Sequence, residues 1–296
     1  MKLTLKIAMS GILTVVVCVL FWVLIRNNSF DVLQPAGTIG DQQRDLIVFA
    51  SLLSLVVIIP VFAMTFWITW KYRTGNTRPA EYKPTWSSSK IAETLWWGIP
   101  IVLIMIISVV IWISSHRLDP YRTLESSEPA LKVQVIALQW RWLFIYPEQG
   151  IASLNYLQLP VDRPVDFEIT SDAPMNSFWI PKLGGQVYAM SGMSTQLHLQ
   201  AHTIGEYTGK SANISGEGYS DMVFTTRVSS RADFDTWVNG AALSADSLTL
   251  ERYRELASPT HDTQATIYKL KADDLYDTVV MKYMMPEHAT TEHHHE

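Results

Sequence analysis

The chain has 296 residues, of which 48% are hydrophobic and 17% are charged, and its formal net charge is −5 at pH 7. This length accommodates about two domains of ordinary size. Residues 116–296 alone contain 14 Lys and Arg against 23 Asp and Glu. Because binding to nucleic-acid phosphates depends on Lys and Arg, this acidic balance argues against a nucleic-acid partner.

Three runs without a charged residue occur at positions 7–25, 46–70 and 94–115. Each approaches or exceeds the ~20 residues that a helix needs to cross the hydrocarbon core of a bilayer. Pro60 and Pro100 interrupt the second and third runs, and membrane helices tolerate proline better than soluble helices do. The sequence therefore predicts three membrane spans.

The charges between the second and third runs predict the orientation of these spans, because short cytoplasmic loops are enriched in Lys and Arg. The connection contains five basic residues and one acidic residue: Lys71, Arg73, Arg78, Lys83 and Lys90 against Glu81. We therefore expect this connection on the inner side of the membrane and the acidic residues 116–296 on the outer side.

The N-terminal segment, residues 1–25, allows two interpretations. Lys2 and Lys6 before an apolar stretch are typical of a cleaved signal peptide and also of a retained anchor. The lack of an A-x-A-like cleavage site favours retention, with the N-terminus inside. The single cysteine, Cys18, is a candidate for lipidation, but the valines before it favour an ordinary buried or lipid-facing thiol.

The outer part begins with a segment rich in β-branched and aromatic residues, 131–146, which predicts one long strand or two strands joined by a bend. Further strands are predicted at 165–170, 195–201 and 222–228. Several short strands separated by turn residues are typical of a β-sandwich. The alternation in residues 196–200 places Leu197 and Leu199 inward and His198 outward.

From Arg231 onward, apolar and aromatic residues recur at helical spacing, which predicts short amphipathic helices. The residues in these three groups are Phe234, Trp237 and Val238, then Leu250, Tyr253 and Leu256, then Leu275, Val279 and Tyr283. We expect the last residues, 287–296, to be disordered. The tract His293 to His295 within them favours adventitious metal binding by a mobile tail over a specific site.

One loop carries the spacing of a known metal site without its ligands. Residues 209–222 resemble the dinuclear copper (CuA) loop of cytochrome c oxidase subunit II, whose pattern is C-x3-C-x3-H-x2-M with a further histidine upstream. In this sequence the two cysteines correspond to Ser211 and Ser215, the loop histidine to Tyr219 and the upstream histidine to Asn176, while Met222 is kept and Asn213 lies between the serines.

Copper pairs of this kind need soft sulfur ligands, and serine, tyrosine and asparagine side chains cannot replace them. Cys18 lies in the apolar N-terminal run and cannot supply the missing sulfur. We therefore expect this chain to bind no CuA and no other metal.

The resemblance extends from about residue 42 to residue 285 and is carried by four further segments. They are Ala92-Glu-Thr-Leu-Trp-Trp97, Gln139-Trp-Arg-Trp142, Ala173-Pro-Met-Asn-Ser-Phe-Trp-Ile-Pro181 and Gly184-Gly-Gln-Val-Tyr-Ala-Met190. The chain is identified as a member of the haem–copper oxidase subunit II family, in the branch of the bacterial cytochrome bo-type ubiquinol oxidases.

This resemblance implies a membrane-anchored α+β fold. A transmembrane helical hairpin (42–115), together with the N-terminal helix, would precede a cupredoxin-like Greek-key β-sandwich without CuA (120–230) and an aromatic-rich helical extension (231–286). It also places the chain in a bacterial inner membrane, as a multi-pass protein with its large C-terminal domain in the periplasm.

The implied function is that of a non-catalytic subunit of a proton-pumping enzyme that oxidises ubiquinol and reduces oxygen to water. The haems, the copper and the quinol site would belong to subunit I, with subunits III and IV and membrane lipid as further partners and no cytochrome c. Two alternatives stay open: a menaquinol oxidase subunit II, and a non-enzymatic membrane-anchored cupredoxin-like protein for binding or assembly.

The resemblance also implies roles for individual residues. Trp140 and Trp142 are expected to pack where the outer domain meets the catalytic subunit, and Asn176 and Tyr219 to hydrogen-bond one another or water. Glu93 has two interpretations: a first-turn acid favoured by the helix dipole, or a group beside the entrance of a proton channel in the partner subunit.

Overall fold

The computed structural model describes residues 16, 19, 30–73, 87–261, 263–272 and 274–284. They form two compact units: the described residues up to Arg44 together with those from Thr123 onward, and the segment Asp45–Arg122. The predictions of a first membrane span at 7–25, of its cleavage or retention, of lipidation at Cys18 and of a disordered tail with His293 to His295 concern residues that lie, apart from positions 16 and 19, outside the described part of the chain.

Two long helices make up most of the second unit. Helix α1 (Thr38–Lys71), which begins in the first unit, and helix α2 (Lys90–Arg117) are both long and apolar enough to cross a membrane, as expected for 46–70 and 94–115. Pro60 and Pro100 lie inside them without ending either helix. Ser89 caps α2 by accepting a hydrogen bond from the backbone N–H of Ala92 at 3.4 Å, which satisfies one of the donors left open at a helix start.

The first unit contains two β-sheets. In chain order the strands are β1 (Leu131–Ala137), β2 (Trp142–Tyr146), β3 (Ile151–Leu154), β4 (Tyr156–Pro160), β5 (Pro164–Ser171), β6 (Asn176–Trp179), β7 (Val187–Ala189), β8 (Thr195–Gln200), β9 (Gly205–Ser211), β10 (Val223–Ser229), β11 (Ser247–Leu248) and β12 (Thr266–Leu270). The order is β11-β12-β3-β2-β1-β5-β8 in one sheet and β4-β10-β9-β6-β7 in the other. This confirms the predicted sandwich.

The segment 131–146 is two strands, because β1 turns back antiparallel onto β2 with Ala137 opposite Trp142. Parallel pairing also occurs, between β1 and β5 and between β4 and β10. Such pairs require crossover connections, so the chain passes repeatedly between the two sheets. These crossovers place β6, β9 and β10 side by side in the second sheet.

An aromatic cluster fills the space between the sheets. The ring of Trp142 lies 5.4 Å from that of Phe178 and 5.8 Å from that of Phe224, both edge-on, and Phe178 stacks on Phe224 at 5.4 Å. Edge-to-face and stacked aromatic pairs contribute beyond the area that they bury. Trp142 is 0% exposed, so its expected role at a subunit interface is wrong: it belongs to the interior of the domain.

The C-terminal extension is more than the helices predicted for it. It contains α3 (Arg231–Ala242), α4 (Leu250–Leu256) and α5 (Leu275–Lys282), but also β11 and β12, and β12 pairs antiparallel with β3 of the sandwich. Its apolar residues, among them Leu248, Tyr253 and Val279, form a second hydrophobic cluster with Ile136, Leu143 and other residues of the first sheet. The extension is therefore part of the same compact unit.

His198 is less exposed than its position in the alternating strand predicts. It lies opposite Asp166 in the β5–β8 register, and its Nδ1 is 2.6 Å from Asp166 Oδ1. The residue is 7% exposed. The outward position predicted for His198 therefore does not leave this side chain solvent-exposed, and the cross-strand carboxylate gives it a polar partner at the sheet surface.

The start of α1 is held against the sandwich by backbone contacts. Ala36 N–H donates to the carbonyl of Lys182 at 2.7 Å, and Gly40 N–H donates to the carbonyl of Leu183 at 2.9 Å. A Cβ at Gly37 would lie 2.7 Å from the carbonyl oxygen of Gln200. Only glycine can lie this close to residue 200, because the backbone oxygen cannot move away from an added Cβ as a flexible side chain could.

A buried carboxylate connects the extension to the turn that precedes β6. Asp172 accepts hydrogen bonds from Lys282 Nζ at 2.7 Å, Tyr283 OH at 2.6 Å and Tyr253 OH at 2.7 Å. Burial by itself raises the pKa of Asp172, but the hydrogen bonds from Lys282, Tyr283 and Tyr253 outweigh it and hold the pKa below its usual range. Charged acceptors form the stronger hydrogen bonds, so ionised Asp172 stabilises the docked extension.

Asp172→Asn is expected to lower the free energy of unfolding at pH 7 by about 1–3 kcal/mol, because hydrogen bonds to a charged group are lost. The folded-state pKa is lowered, so this contribution is present above the pKa of the unfolded chain and is lost as the pH falls through the folded value. The difference between wild type and variant in urea denaturation of the full chain should shrink below about pH 4.

The matched control for this experiment is Asp246→Asn, which changes an exposed carboxylate. A loss of stability equal to that of the Asp172 variant, or a difference that does not change with pH, would contradict the role of Asp172.

Candidate functional site

The topology of the second sheet brings the former copper positions together. Ser211 ends β9 and Met222 precedes β10, and these neighbouring strands close the loop through a hydrogen bond from Ser211 N–H to the carbonyl of Met222 at 3.2 Å. Asn176 begins β6, the other neighbour of β9, where Phe178 pairs with Ser211. The loop 211–222 therefore lies beside the upstream position, as the resemblance to the copper loop implies.

Two of the former ligand positions bind one another. Ser211 Oγ donates to Asn176 Oδ1 at 3.0 Å, and Asn176 Nδ2 donates to the carbonyl of Pro174 at 2.7 Å. Both side chains are buried. Asn213 Nδ2 donates to the carbonyl of Met175 at 2.8 Å, which ties the loop to the same turn. Asn176 thus takes Ser211 and Pro174 as partners, whereas Tyr219 or water is the partner that we expected from the sequence.

The remaining positions are held mainly through the backbone or by apolar packing. Tyr219 lies in a short 3-10 helix, Glu217–Asp221, and its backbone N–H donates to the carbonyl of Gly216 at 3.3 Å. Met222 is 1% exposed and belongs to the hydrophobic core. The carbonyl of Ser215 accepts the indole N–H of Trp140 at 3.2 Å.

The residues at this site do not fit a copper pair. The site offers two hydroxyls, two amides, a phenol and one thioether, and the best-placed hydroxyl and amide already bind each other. Bridging a copper pair needs thiolates. Among the described residues, no three His, Cys, Asp or Glu side chains are grouped as a metal site would require. What the arrangement can do is fix the shape of the loop by hydrogen bonding.

Trp140 is the residue around which the loop is arranged. Its φ is +71°, an uncommon conformation for a bulky residue. A Cβ at Gly218 would lie only 2.3 Å from the indole atoms Cδ2 and Cε3. Sequence reasoning missed Gly218, because a glycine in a loop with several glycines gives no sign of which one lies under a ring.

The extension also contributes to the surface over Trp140. The ring of His261 lies 5.2 Å from that of Trp140, and His261 Nδ1 is 3.1 Å from Asp221 Oδ2 at the end of the 3-10 helix. Trp140 is partly exposed, so its expected contact with a partner subunit stays a prediction. No pattern in the sequence indicated His261, because its neighbours are distant along the chain.

Glu93 lies in the first turn of α2, four residues after the cap Ser89, and its backbone N–H donates to the carbonyl of Ser89 at 2.9 Å. Its side chain is partly exposed. A carboxylate here is favoured by the helix dipole, and it is also accessible for exchange of protons with water. Both interpretations of Glu93 therefore remain, and its role in proton entry stays a prediction.

Comparison with known proteins gives two family matches. The family described as "Cytochrome C oxidase subunit II, periplasmic domain" matches residues 151–228, and that described as "COX Aromatic Rich Motif" matches residues 243–287. Cytochrome bo(3) ubiquinol oxidase subunit 2 of Pseudomonas putida is 44% identical over 260 residues, which are 88% of this chain and 82% of that protein.

Two further relatives match at similar length. Ubiquinol oxidase subunit 2 of Acetobacter aceti is 43% identical over 262 residues, 88% of this chain and 85% of that protein. Quinol oxidase subunit 2 of Bacillus subtilis (strain 168) is 35% identical over 260 residues, 88% of this chain and 81% of that protein.

Gly218→Ala is expected to displace Trp140 and to loosen the loop, with a loss of about 1–3 kcal/mol in the free energy of unfolding, as for other overpacked sites. Hydrogen–deuterium exchange of residues 211–222 should accelerate in the full chain. Gly240→Ala is the control, because a Cβ at Gly240 in α3 would meet no atom within 4 Å. Equal exchange in the two variants would show that Trp140 does not order the loop.

Proposed function

The chain belongs to the subunit 2 family of the cytochrome bo3-type ubiquinol oxidases, which are terminal respiratory oxidases, and we propose that within this complex it is a metal-free, non-catalytic subunit. The haems, the copper and the quinol site then belong to subunit I. The cupredoxin-like outer domain contributes structure and assembly. Electrons from ubiquinol reach oxygen without passing through this chain.

The observation that carries this proposal is the hydrogen bond between Ser211 and Asn176 at two former ligand positions. A soluble donor such as cytochrome c would need a metal centre in the outer domain to receive its electrons. Ubiquinol is dissolved in the bilayer and reaches subunit I from within the membrane. The copper ligands are replaced by side chains that bind each other. This replacement is consistent with ubiquinol as the electron donor and not with cytochrome c.

The identity values favour ubiquinol as the substrate of the complex. The relatives from Pseudomonas putida and Acetobacter aceti, which are named for ubiquinol, are 44% and 43% identical, whereas the Bacillus subtilis relative, named only for quinol, is 35% identical. The oxidation of ubiquinol is coupled to reduction of oxygen to water and to proton translocation.

The proposed location is the bacterial inner membrane, with the outer domain in the periplasm. Two described helices are long and apolar enough to span the bilayer, and the basic connection between Lys71 and Lys90 is expected on the cytoplasmic side. Subunit I is the main partner, with subunits III and IV and lipid as further neighbours. Haem and a large apolar subunit should therefore co-purify with this chain, which a free-standing binding or assembly protein would not show.

We expect the full chain, separated from its partner subunits, to contain no stoichiometric copper, because the loop lacks thiolates. The combination Asn176→His, Ser211→Cys, Asn213→Glu, Ser215→Cys and Tyr219→His should create a coloured copper site, since β6 and β9 already hold the first two positions in hydrogen-bond contact. Metal analysis and absorption spectroscopy give the readout.

The control for the copper experiment retains Ser215 and introduces the other four substitutions, so that the loop contains only one thiolate. This variant cannot bridge two copper ions through a pair of thiolates, so it should bind at most one copper per chain and lack the absorption bands of a copper pair. A copper pair in the unmodified chain would refute the proposal of a metal-free subunit.

We expect Glu93→Gln to slow proton-coupled reduction of the oxygen site several-fold in the assembled oxidase, because an amide of similar shape cannot ionise. Haem content and subunit composition should not change. Rapid-reduction kinetics at several pH values would measure the effect.

Ser89→Ala is the matched control for Glu93. It removes the cap of α2 at a cost of about 1 kcal/mol but leaves the carboxylate in place. An equal slowing in both variants, or an unaltered rate in Glu93→Gln, would leave Glu93 with a structural role only.

A further inference from the structure

The inner end of α1 carries two cations that lie over aromatic rings. Lys71 Nζ is 4.6 Å from the centre of the Trp67 ring and 5.6 Å from that of Tyr72, and Arg73 Cζ is 4.2 Å from that of Trp70. Residues three or four apart on a helix lie on one face, which brings Trp67 next to Lys71. We call these five residues the aromatic–basic end.

The aromatic rings of this end are exposed along the helix: Trp67 is 58% exposed, Trp70 53% and Tyr72 60%. Trp and Tyr side chains are enriched at the level of the lipid headgroups in membrane proteins, where a ring can bury its body and keep its polar edge wet. A cation over such a ring is attracted to its face and keeps its full charge. We therefore expect Lys71 and Arg73 at the depth where lipid phosphates lie.

The charge of the surrounding sequence is strongly positive. The stretch from Lys71 to Lys90 contains five basic residues against the single acidic residue Glu81. The opposite end of α2 differs, since its last turn contains His116 and Arg117 and is followed by Asp119. The basic balance is thus confined to one end of the hairpin.

We propose that the aromatic–basic end is a binding site for the headgroup of an anionic phospholipid, with Lys71 and Arg73 as the groups that contact the phosphate. Basic residues next to a membrane span attract anionic lipids, and guanidinium groups bind phosphate oxygens through paired N–H donors. The aromatic rings hold both cations in place and contact the upper part of the acyl chains. The inference rests on the membrane insertion of the hairpin and not on the copper-free outer domain.

The test uses the whole oxidase complex with Lys71→Gln and Arg73→Gln combined, reconstituted in nanodiscs that contain phosphatidylcholine and phosphatidylglycerol in equal amounts. After transfer to detergent, native mass spectrometry counts the phospholipids that remain bound. We expect retention of phosphatidylglycerol to fall about tenfold, because two cations near the surface are removed, while retention of phosphatidylcholine does not change.

Lys210→Gln is the matched control, because Lys210 Nζ also lies over an aromatic ring, 5.0 Å from the centre of the Trp179 ring, but belongs to the outer unit and not to the hairpin. It should retain as much phosphatidylglycerol as the wild type. Trp67→Leu and Trp70→Leu keep the apolar surface and both charges, and should give an intermediate loss. If the combined variant does not assemble, Arg73→Gln alone supplies the comparison.

Unchanged phosphatidylglycerol retention would overturn the proposal, and so would an equal loss of both lipids, since that would show a general boundary contact without selectivity for charge. Quinol oxidation by the same nanodiscs reports separately on the proposed function. A wild-type complex that does not oxidise quinol would contradict the proposed function. A selective loss of phosphatidylglycerol in the variant would support the lipid site even in that case.

Discussion

The hydrogen bond from Ser211 Oγ to Asn176 Oδ1 joins the end of β9 to the start of β6 at the point where a metal would otherwise connect them. Both residues are buried, so water does not compete for the bond, and its loss would leave Asn176 Oδ1 buried without this donor. The loop that follows is closed by the backbone contact between Ser211 and Met222. The shape of the site therefore depends on interactions within the chain and requires no ion.

The aromatic core holds this arrangement in place. Asn176 and Phe178 lie two residues apart on β6 and so point to the same face, and Phe178 stacks on Phe224 and meets the edge of Trp142. A shift of β6 would disturb the packing and the hydrogen bond together. Asp172, a few residues before Asn176, connects the turn that precedes β6 to the C-terminal extension. It accepts hydrogen bonds from Tyr253, Tyr283 and Lys282.

The second and third membrane spans and the sandwich could be predicted from the sequence, because long apolar runs and β-branched segments are local patterns. The position of the loop followed from the resemblance that its ligand spacing carries. Interactions across the fold could not. Trp142 and Trp140 share one motif, yet the first is enclosed by the core and the second lies over Gly218. The strand Thr266–Leu270 is short and follows helical segments, so only its pairing with β3 reveals it. His198 has an outward position in its strand, and the carboxylate that accompanies it comes from β5.

The chain thus contains an outer domain that holds the former copper positions by its own contacts and a hairpin that carries Glu93 and several basic residues at one end. In the outer domain, the former ligand positions hold hydrogen bonds and an indole in place of metal bonds. At the inner end lie the groups that we propose to meet protons and lipid phosphates, Glu93 and the cations of the aromatic–basic end. When the electron donor is dissolved in the bilayer, an outer domain needs no redox centre. The roles that we propose for such a subunit then lie at the membrane boundary: proton entry toward the partner subunit and binding of lipid headgroups.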